Sequence, residues 1–445
     1  MNILSILLSA NTIGKDVTLP LPLPEWLLIV VLILMFLVHL LFINLMVGGT
    51  ILSFIYEILG KKNKDYITLS EEIGKTITVN KSLAVVMGVA PLLAINTLYT
   101  KFFYTANSLT GLVWILVVPL VIISFLLIYL HKYTFKVLET RLRLHLTILG
   151  GALAIFLFIP FIFLTNINLM LFPDKWAVVR GFWDALLTPA VFTRYFHFVN
   201  ASLAITGLFL VGYIGRKKYL FEDKFNTISR KELQRQFYKI AFYANLAQFI
   251  IGPINLLVLP SIGMKADTLF TIIGGAIIAI IPTYYLWKEI TASTENVGRY
   301  FVRIVVFFSI TVLFMGTGRH LYRANAVRPY QVEMKKNTDK YLSELKVAQQ
   351  ESKAKADKEA KSGISGKALF ESKCIMCHVS DRALVGPSVK EIVSIYKGNK
   401  EGMKNWINAP SKKRANMSQM PAFNGQFKDN EMEALVKSIL EDTEK

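Results

Sequence analysis

The sequence predicts an all-α protein, in which a polytopic bundle of about eight transmembrane helices precedes a small helical domain outside the membrane. Of its 445 residues, 53% are hydrophobic, more than a soluble chain of this length usually carries. The excess lies in long runs with few charges, each about long enough to cross a bilayer, which takes roughly 17–25 residues. These runs cover residues 25–59, 82–100, 109–130, 144–172, 189–214, 237–260, 268–287 and 300–318.

The net charge of +19 bears on membrane topology rather than on nucleic-acid binding, because many of the cations lie between the apolar runs. The first connection, residues 60–81, and the third and fifth connections are richer in Lys and Arg than the even-numbered ones. Such connections face the cytoplasm. Eight crossings then place both termini outside, in the periplasm of a bacterium whose inner membrane holds the protein. The N-terminus has no basic region before its short apolar stretch, so we expect no cleaved signal peptide.

The composition changes after the last apolar run and predicts three domains. Residues 1–330 form the membrane domain. Residues 331–362 are rich in Lys, Glu, Ala and Gln, which is typical of a solvated charged helix or linker. Residues 363–445 form a small third domain, which the predicted topology places outside the membrane.

A CxxCH motif stands near the start of this last domain, as Cys374-Ile-Met-Cys377-His378. Its two thiols are spaced to bond the two vinyl groups of one porphyrin, and the adjacent His then meets the iron from one face. Half of a zinc site is the alternative, but zinc needs further Cys or His ligands, and none follow His378. The motif predicts one covalently bound haem c.

The segment 364–442 resembles class I cytochrome c. A helix-like stretch leads into the motif, and Gly386-Pro387 stands where the family places the loop that supports the proximal His. Met420-Pro421 matches the family's Met-Pro, so the resemblance implies Met420 as the sixth iron ligand, with Met417 and Met403 as alternatives. In this family haem is attached on the outer side of the membrane, which agrees with the topology that the charges predict.

Three histidines, His39, His197 and His320, lie in or at the ends of the apolar runs. Under this topology His197 and His320 are on the outer half, and so is His39 if the outer end of its long run projects from the bilayer. Most single membrane histidines make a hydrogen bond inside the bundle, but ionisable residues in spans are costly and are usually functional. We expect these three to ligate one or two b-type haems.

Charged neighbours of these histidines have two interpretations. Arg319 and Arg323 flank His320, and Arg194 precedes His197. They are expected to neutralise haem propionates, and interfacial anchoring is the alternative. His131 and His145 lie among Lys and Arg at the other ends of their runs, and we interpret them as interfacial. Haem binding by these two is the alternative, and it would let electrons cross the membrane completely.

The membrane part, roughly residues 25–290, resembles subunit I of cytochrome bd quinol oxidases. The stretch 38–48, which contains His39, resembles that family's first helix, and 194–207, which contains His197, resembles its fifth. Both helices carry a haem-ligating His in the family.

This sequence departs from the family at several points. The family's third helix carries carboxylates that serve oxygen reduction, whereas residues 111–130 contain none. Its long quinol-binding loop shrinks here to about residues 260–267, and its Met ligand in the seventh helix has no clear counterpart. Its later helices are replaced by His320 and the haem c domain. We therefore expect a scaffold kept for electron transfer, with His320 opposite His197 at the haem.

The sequence thus predicts a membrane b/c cytochrome, an oxidoreductase component that passes electrons from quinol or a membrane partner to haem c and on to a periplasmic acceptor. Trp176 and Trp183 are candidates to line a quinone site. Other membrane subunits are expected partners, as in bd-like complexes, together with the bilayer. The alternatives are a terminal oxidase subunit that receives electrons at haem c, and a haem sensor or an anchored cytochrome without catalysis.

Overall fold

In the computed structural model of the protein, residues 21–138, 141–361, 365–415 and 417–441 are described, and these ranges contain helices and no β-strand. The described chain divides into two compact units, one up to Lys335 and one from Lys336 onward. Each unit is built around its own buried apolar side chains.

The first unit is a helical bundle. Its helices are α1 (Glu25–Leu59), α2 (Lys64–Leu98), α3 (Thr100–Ile115), α4 (Val117–Thr134), α5 (Leu142–Leu169), the short α6 (Phe182–Leu186), α7 (Val191–Gly215), α8 (Arg230–Val258), α9 (Ala266–Thr291) and the part up to Lys335 of α10 (Phe301–Lys361). Taken with α3 and α4 as one span, eight stretches among the described residues are long and apolar enough to cross a membrane. The predicted multi-pass helical bundle is confirmed, and the charged segment after residue 330 continues α10 as helix.

The second unit contains four further helices, α11 (Gly366–Lys373), α12 (Val389–Tyr396), α13 (Lys400–Asn408) and α14 (Asp429–Glu441). Three of them begin at a side-chain cap, and in α12 the Ser388 hydroxyl accepts a bond from the N–H of Glu391. The core collects buried side chains of α12, α13 and α14, including Met403 and Leu435. Gly366 packs so closely on the backbone of Ala434 that a Cβ has no room there.

Helix α2 begins eighteen residues before the apolar run that predicted it, so Lys64 and Lys75 lie in a helix and not in the first connection. The side chain of Asn63 caps the helix, accepting a 2.9 Å bond from the N–H of Asp65. The buried Glu72 pairs with Lys75 at 2.8 Å and with Lys224 at 2.9 Å. Polar residues extend this helix because their charges are paired, and hydropathy does not register that pairing.

The third span is broken at Gly111, whose φ of +53° and ψ of −123° lie outside helical geometry. A residue with a Cβ rarely adopts this conformation, whereas glycine does so at little steric cost. The apolar run 109–130 therefore predicted the span, but not that helix starts at Thr100 or that its direction changes within it.

Helices α1 and α7 make close contact around Gly48. A Cβ at Gly48 collides with the Ser202 carbonyl oxygen, so only glycine permits this approach. The Ser202 hydroxyl donates a 2.8 Å bond to Asn44 Oδ1, and Thr206 donates a 3.2 Å bond to the Asn44 carbonyl. The contacts follow both helices in the same chain direction, so they fix the position of α1 along its axis relative to α7.

Candidate haem sites

The CxxCH motif forms a helical turn at the end of α11. The N–H of Cys377 donates to the Cys374 carbonyl at 3.1 Å, and the N–H of His378 donates to the same oxygen at 2.9 Å. This turn gathers both thiols and the imidazole on a short segment, as one porphyrin requires. Both cysteines are free and partly exposed. Burial, with a smaller contribution from Cys377, raises the pKa of the Cys374 thiol to about 11, so it is protonated at neutral pH.

The imidazole of His378 is held in one orientation. Its Nδ1–H donates a 2.8 Å bond to the Pro387 carbonyl, which leaves Nε2 as the free ligand atom. Gly386 lies against the ring, and a Cβ there overlaps Cε1. The N–H of Gly386 donates to the Cys377 carbonyl at 3.0 Å, which fixes the loop onto the motif. The Gly-Pro pair therefore both orients the ring and leaves room for it, so these residues fit a haem c iron.

The structure separates the three candidate methionines by environment. Met403 is 3% exposed and belongs to the core of the domain. Met417 receives an Arg414 N–H at its sulfur, at 4.0 Å. Met420 is partly buried and packs on the core, as does Cys374. Unlike Met403 it is not fully buried, and unlike Met417 its sulfur has no side-chain hydrogen-bond partner among the described residues, so Met420 stays the predicted sixth ligand.

Several apolar side chains around the motif are exposed on the surface of the polypeptide. The exposed residues are Ile375, Met376, Leu384 and Val385. Large apolar side chains exposed beside such a motif are compatible with a binding surface. Haem is a large apolar ring, and its attachment to the adjacent cysteines fits this surface.

In the membrane unit, His39 is oriented by a backbone group of α2. Its Nδ1 lies 2.8 Å from the Ala84 carbonyl oxygen, which only accepts, so Nδ1 carries the proton. Nε2 is then available as a ligand atom. A Cβ at Gly88 lies 2.8 Å from Cε1 of the ring, so a glycine leaves space for the imidazole here too.

The rings of His197 and His320 differ from that of His39 in their hydrogen bonding. The Nδ1 atom of each is buried and has no hydrogen-bond partner among the residues that the structure describes. Buried polar atoms are almost always satisfied, because leaving one unpaired costs roughly 1–3 kcal/mol. An unpartnered nitrogen on each of these two rings indicates that the described protein atoms alone do not complete this region, which is compatible with the predicted b haem.

His39 and His197 occupy matching positions on their helices. Each precedes the α1–α7 contact by five residues, His39 before Asn44 and His197 before Ser202. Five residues are about 7.5 Å of helix rise. Helix α10 approaches α1 at the same level, since a Cβ at Gly316 lies 2.9 Å from Leu37. The three predicted ligands therefore belong to one region of the bundle.

Three arginines without an anionic partner surround this region. Arg319 lies 4.5 Å from the centre of the Phe36 ring, Arg323 lies 5.7 Å from that of Tyr99, and Arg194 lies 5.8 Å from that of Tyr322. No carboxylate pairs with any of the three in the described part of the chain. Arginines lying partly or wholly inside the bundle call for an anion, and haem propionates are of the right charge and shape for guanidinium groups.

The candidate quinone-lining tryptophans differ from each other. Trp176 is partly buried and its Nε1–H donates 3.1 Å to the Leu169 carbonyl, so its polar atom already has a partner. Trp183 is 66% exposed, which suits interfacial anchoring equally well.

The prediction that His131 and His145 are interfacial is wrong for their rings, which are 2% and 3% exposed inside the bundle. Both contact the carboxylate of Glu57. The sequence held a signal, because Glu57 is the only acidic residue of α1 after Glu25. The partners are 74 and 88 residues away along the chain, so no local pattern joins them.

Comparison with known proteins supports both halves of this description. The family described as Cytochrome c matches residues 364–441. No curated protein matches the chain. Among solved structures, the bd oxidase from Geobacillus thermodenitrificans is similar, with a TM-score of 0.56 and 13% sequence identity, over 68% of this chain and 88% of that one. At this identity the likeness shows the fold alone.

The chain is thus a multi-pass membrane protein with a bd-oxidase-like helical fold and a C-terminal cytochrome c domain. The cytochrome c domain implies covalently attached haem c and a role in electron transfer.

Proposed function

We propose that the protein is a membrane-bound b/c cytochrome that passes electrons from the quinol pool, or from a membrane partner, to its haem c and on to an acceptor outside the inner membrane. The lysine and arginine distribution supports an orientation with both termini and the haem c domain in the periplasm. Further membrane subunits are expected partners, and an oxidoreductase complex is the expected setting.

One observation carries the proposal. Within the described part of the chain, His197 and His320 each hold a buried ring nitrogen without a partner, and three arginines that pair with no carboxylate there lie in the same region. Two imidazoles and several guanidinium groups are the protein side of a b-haem site, its axial ligands and its propionate partners. The same polypeptide carries the CxxCH motif, so donor and acceptor groups are provided by one chain.

The protein's own residues set how such a centre works. Pro387 fixes the His378 tautomer, so Nε2 is the ring nitrogen that would hold the haem c iron. A thioether ligand from Met420 favours the reduced iron and raises its potential. The cations of Arg194, Arg319 and Arg323 favour electron uptake at a neighbouring centre, because added negative charge is stabilised beside them. The bound haems supply the one-electron redox chemistry.

A terminal oxidase that receives electrons at haem c is the second candidate, favoured by the similarity in fold to a bd oxidase. The third span argues against it. Residues 100–134 contain no Asp or Glu, and oxygen reduction requires a supply of protons. Oxygen consumption by the purified protein with a reduced cytochrome as donor discriminates between the two functions.

The test is a pyridine haemochrome assay on the purified full chain. We expect one haem c and one or two b haems per chain, and reduction of haem c on addition of a quinol. His197→Ala and His320→Ala are expected to lose b haem and to keep haem c. A b-to-c ratio of zero in the wild type overturns the proposal. Unchanged b haem in His39→Ala, His197→Ala and His320→Ala favours a sensor or an anchored cytochrome instead.

A further inference from the structure

A buried cluster of one carboxylate and two imidazoles lies in the bundle outside the haem region. Glu57 on α1, His131 on α4 and His145 on α5 are each at most 3% exposed. Glu57 Oε2 lies 2.8 Å from His131 Nε2, and Glu57 Oε1 lies 2.6 Å from His145 Nδ1. Glu57 follows His39 by eighteen residues, about 27 Å of helix rise, so the cluster is independent of the candidate haem ligands.

The hydrogen bonds of His145 require a cation within this cluster. Its Nε2 lies 3.0 Å from the His131 carbonyl oxygen, which can only accept, so Nε2 carries a proton. In a neutral ring Nδ1 then presents a lone pair, and it faces a carboxylate oxygen at 2.6 Å. Two acceptors do not approach this closely by themselves. At this distance a shared proton accounts for the contact, and a metal ion that took its place would be bound by both atoms and hold them roughly 3.3 Å apart, at metal–ligand distances of about 2.0–2.2 Å.

We propose that Glu57, His131 and His145 bind a divalent first-row transition-metal ion, zinc or ferrous iron. One donor atom of each residue lies within 4.8 Å of the other two, so a single ion can reach all three. Two imidazoles and one carboxylate are a ligand set that both metals accept. The metal replaces the additional proton that the geometry of His145 requires.

The surroundings of the cluster resemble those of metal sites in two respects. A ligating His usually donates its other N–H to a carbonyl or carboxylate, which fixes the ring, and His145 does so to the backbone of His131. The Ser70 hydroxyl lies 3.5 Å from Glu57 Oε2 and bonds the Ser53 carbonyl at 3.0 Å, so the carboxylate also has an oriented polar neighbour. The ion joins three helices, α1, α4 and α5.

A haem bound by the two histidines is excluded by their arrangement. The ring centres are 3.9 Å apart and the planes are inclined by 21°, so the rings stack directly on one another. Two axial imidazoles must lie on opposite faces of a porphyrin. Rings that stack directly on one another leave no space for a porphyrin between them. The site suits a bare ion and not a macrocycle.

Metal analysis of the purified full-length protein tests the proposal. Zinc and iron are measured by mass spectrometry, and the haem iron found by the pyridine haemochrome assay is subtracted. We expect about one non-haem zinc or iron per chain, and X-ray absorption at that metal's edge showing imidazole among its ligands. A wild type that holds no such ion, even after equilibration with Zn²⁺ or Fe²⁺ and removal of the excess, overturns the proposal and assigns the additional cation as a proton.

Variants make the assignment residue by residue. Glu57→Gln and the double variant His131→Gln/His145→Gln are expected to lower the non-haem metal at least tenfold while haem c is retained. Glu72→Gln is the matched control, because Glu72 is an equally buried carboxylate that pairs with Lys75 and Lys224 and not with histidine. Equal metal in wild type and both cluster variants overturns the proposal. The wild-type measurement decides it if the variants do not fold.

Discussion

The Nδ1 atom of His378 lies 2.8 Å from the Pro387 carbonyl oxygen, and Gly386, between them in the loop, has no room for a side chain against the same ring. The orientation of the imidazole that is predicted to ligate haem c therefore depends on the neighbouring Gly386-Pro387 loop.

Gly386→Ala is expected to lower haem c incorporation severalfold. The new methyl group overlaps the His378 ring, which must turn away and lose its bond to Pro387, a bond worth about 1 kcal/mol. Covalent haem is measured by haem staining and by absorption per chain. Gly252→Ala is the control, since a Cβ there has nothing within 4 Å. A Gly386→Ala protein with full haem c and an unchanged spectrum contradicts the role given to this loop.

Met420→Leu is expected to keep the covalent haem but to change its iron ligation. The thioether bonds of Cys374 and Cys377 remain, whereas loss of the soft ligand lowers the potential by on the order of 0.1 V, within the ~0.8 V that axial ligands span. Potentiometric titration measures the change. Met403→Leu serves as control, because Met403 lies in the core and this swap costs under about 1.5 kcal/mol. A shift in Met403→Leu or Met417→Leu instead would assign the ligand to that residue.

Arg319→Gln is expected to lower the reduction potential of b haem. Removing a cation beside a centre that takes up an electron destabilises the reduced state, by tens of millivolts in a partly screened site. Redox titration of the b absorption band measures it. Arg303→Gln on the same helix is the control, because Arg303 lies beside the rings of Tyr285 and Tyr300 instead. Equal potentials in wild type and Arg319→Gln would exclude the propionate role.

The ion pair of Glu391 with Arg414 is expected to make the iron ligation by Met420 depend on pH. The Arg414 guanidinium, which bonds the carboxylate and also contacts Met417, lowers the Glu391 pKa. A depressed folded-state pKa means that the pair stabilises the fold above the unfolded-state pKa, about 4.3. This contribution is lost as pH falls through the folded-state pKa.

Accordingly, Glu391→Gln is expected to weaken Met ligation at neutral pH and to make the loss of this ligation at acid pH less steep. Absorption spectra recorded between about pH 6 and 3 follow the ligation. The effect is small, because the pair is exposed. Glu401→Gln, which breaks only the pair with Lys404 on α13, is expected to leave this profile unchanged. A steeper loss of Met ligation at acid pH in Glu391→Gln would contradict a stabilising role of the Glu391–Arg414 pair.

Gly48→Ala is expected to separate α1 from α7 and to lower b-haem content. The new Cβ meets the Ser202 backbone, which cannot move as a flexible side chain does. Gly151→Ala is the matched control, because its Cβ would make an ordinary 3.5 Å contact with Leu127. Thermal unfolding and the b-to-c ratio are the two measurements. Normal values for both in Gly48→Ala would show that the two helices tolerate a wider spacing.

The features that the sequence predicted are those with a local pattern. Spans appear as long apolar runs, and the haem c site appears as five consecutive residues. The start of α2 was missed because Lys75 and Glu72 neutralise each other within the helix, while hydropathy counts each as a separate charge. The break at Gly111 was missed because a glycine in an apolar run carries no sign of its backbone conformation.

The cluster of Glu57, His131 and His145 could not be predicted from the sequence alone. His131 and His145 lie among cations at the ends of their runs, a pattern that predicts interfacial positions, and only the packing of α4 and α5 against α1 shows that the two rings are buried. By contrast, His39, His197 and His320 were singled out because histidine is rare in apolar spans. Their pairing around b haem stays a prediction.

The CxxCH motif and the eight spans are parts of one covalent chain. The two therefore occur in a fixed one-to-one stoichiometry, and dilution into detergent cannot separate them. A tethered partner meets its target at an effective concentration set by the linker and not by the preparation. Any electron transfer between haem c and a centre in the bundle is accordingly first order, with a rate independent of protein concentration, whereas reduction of a free acceptor is second order.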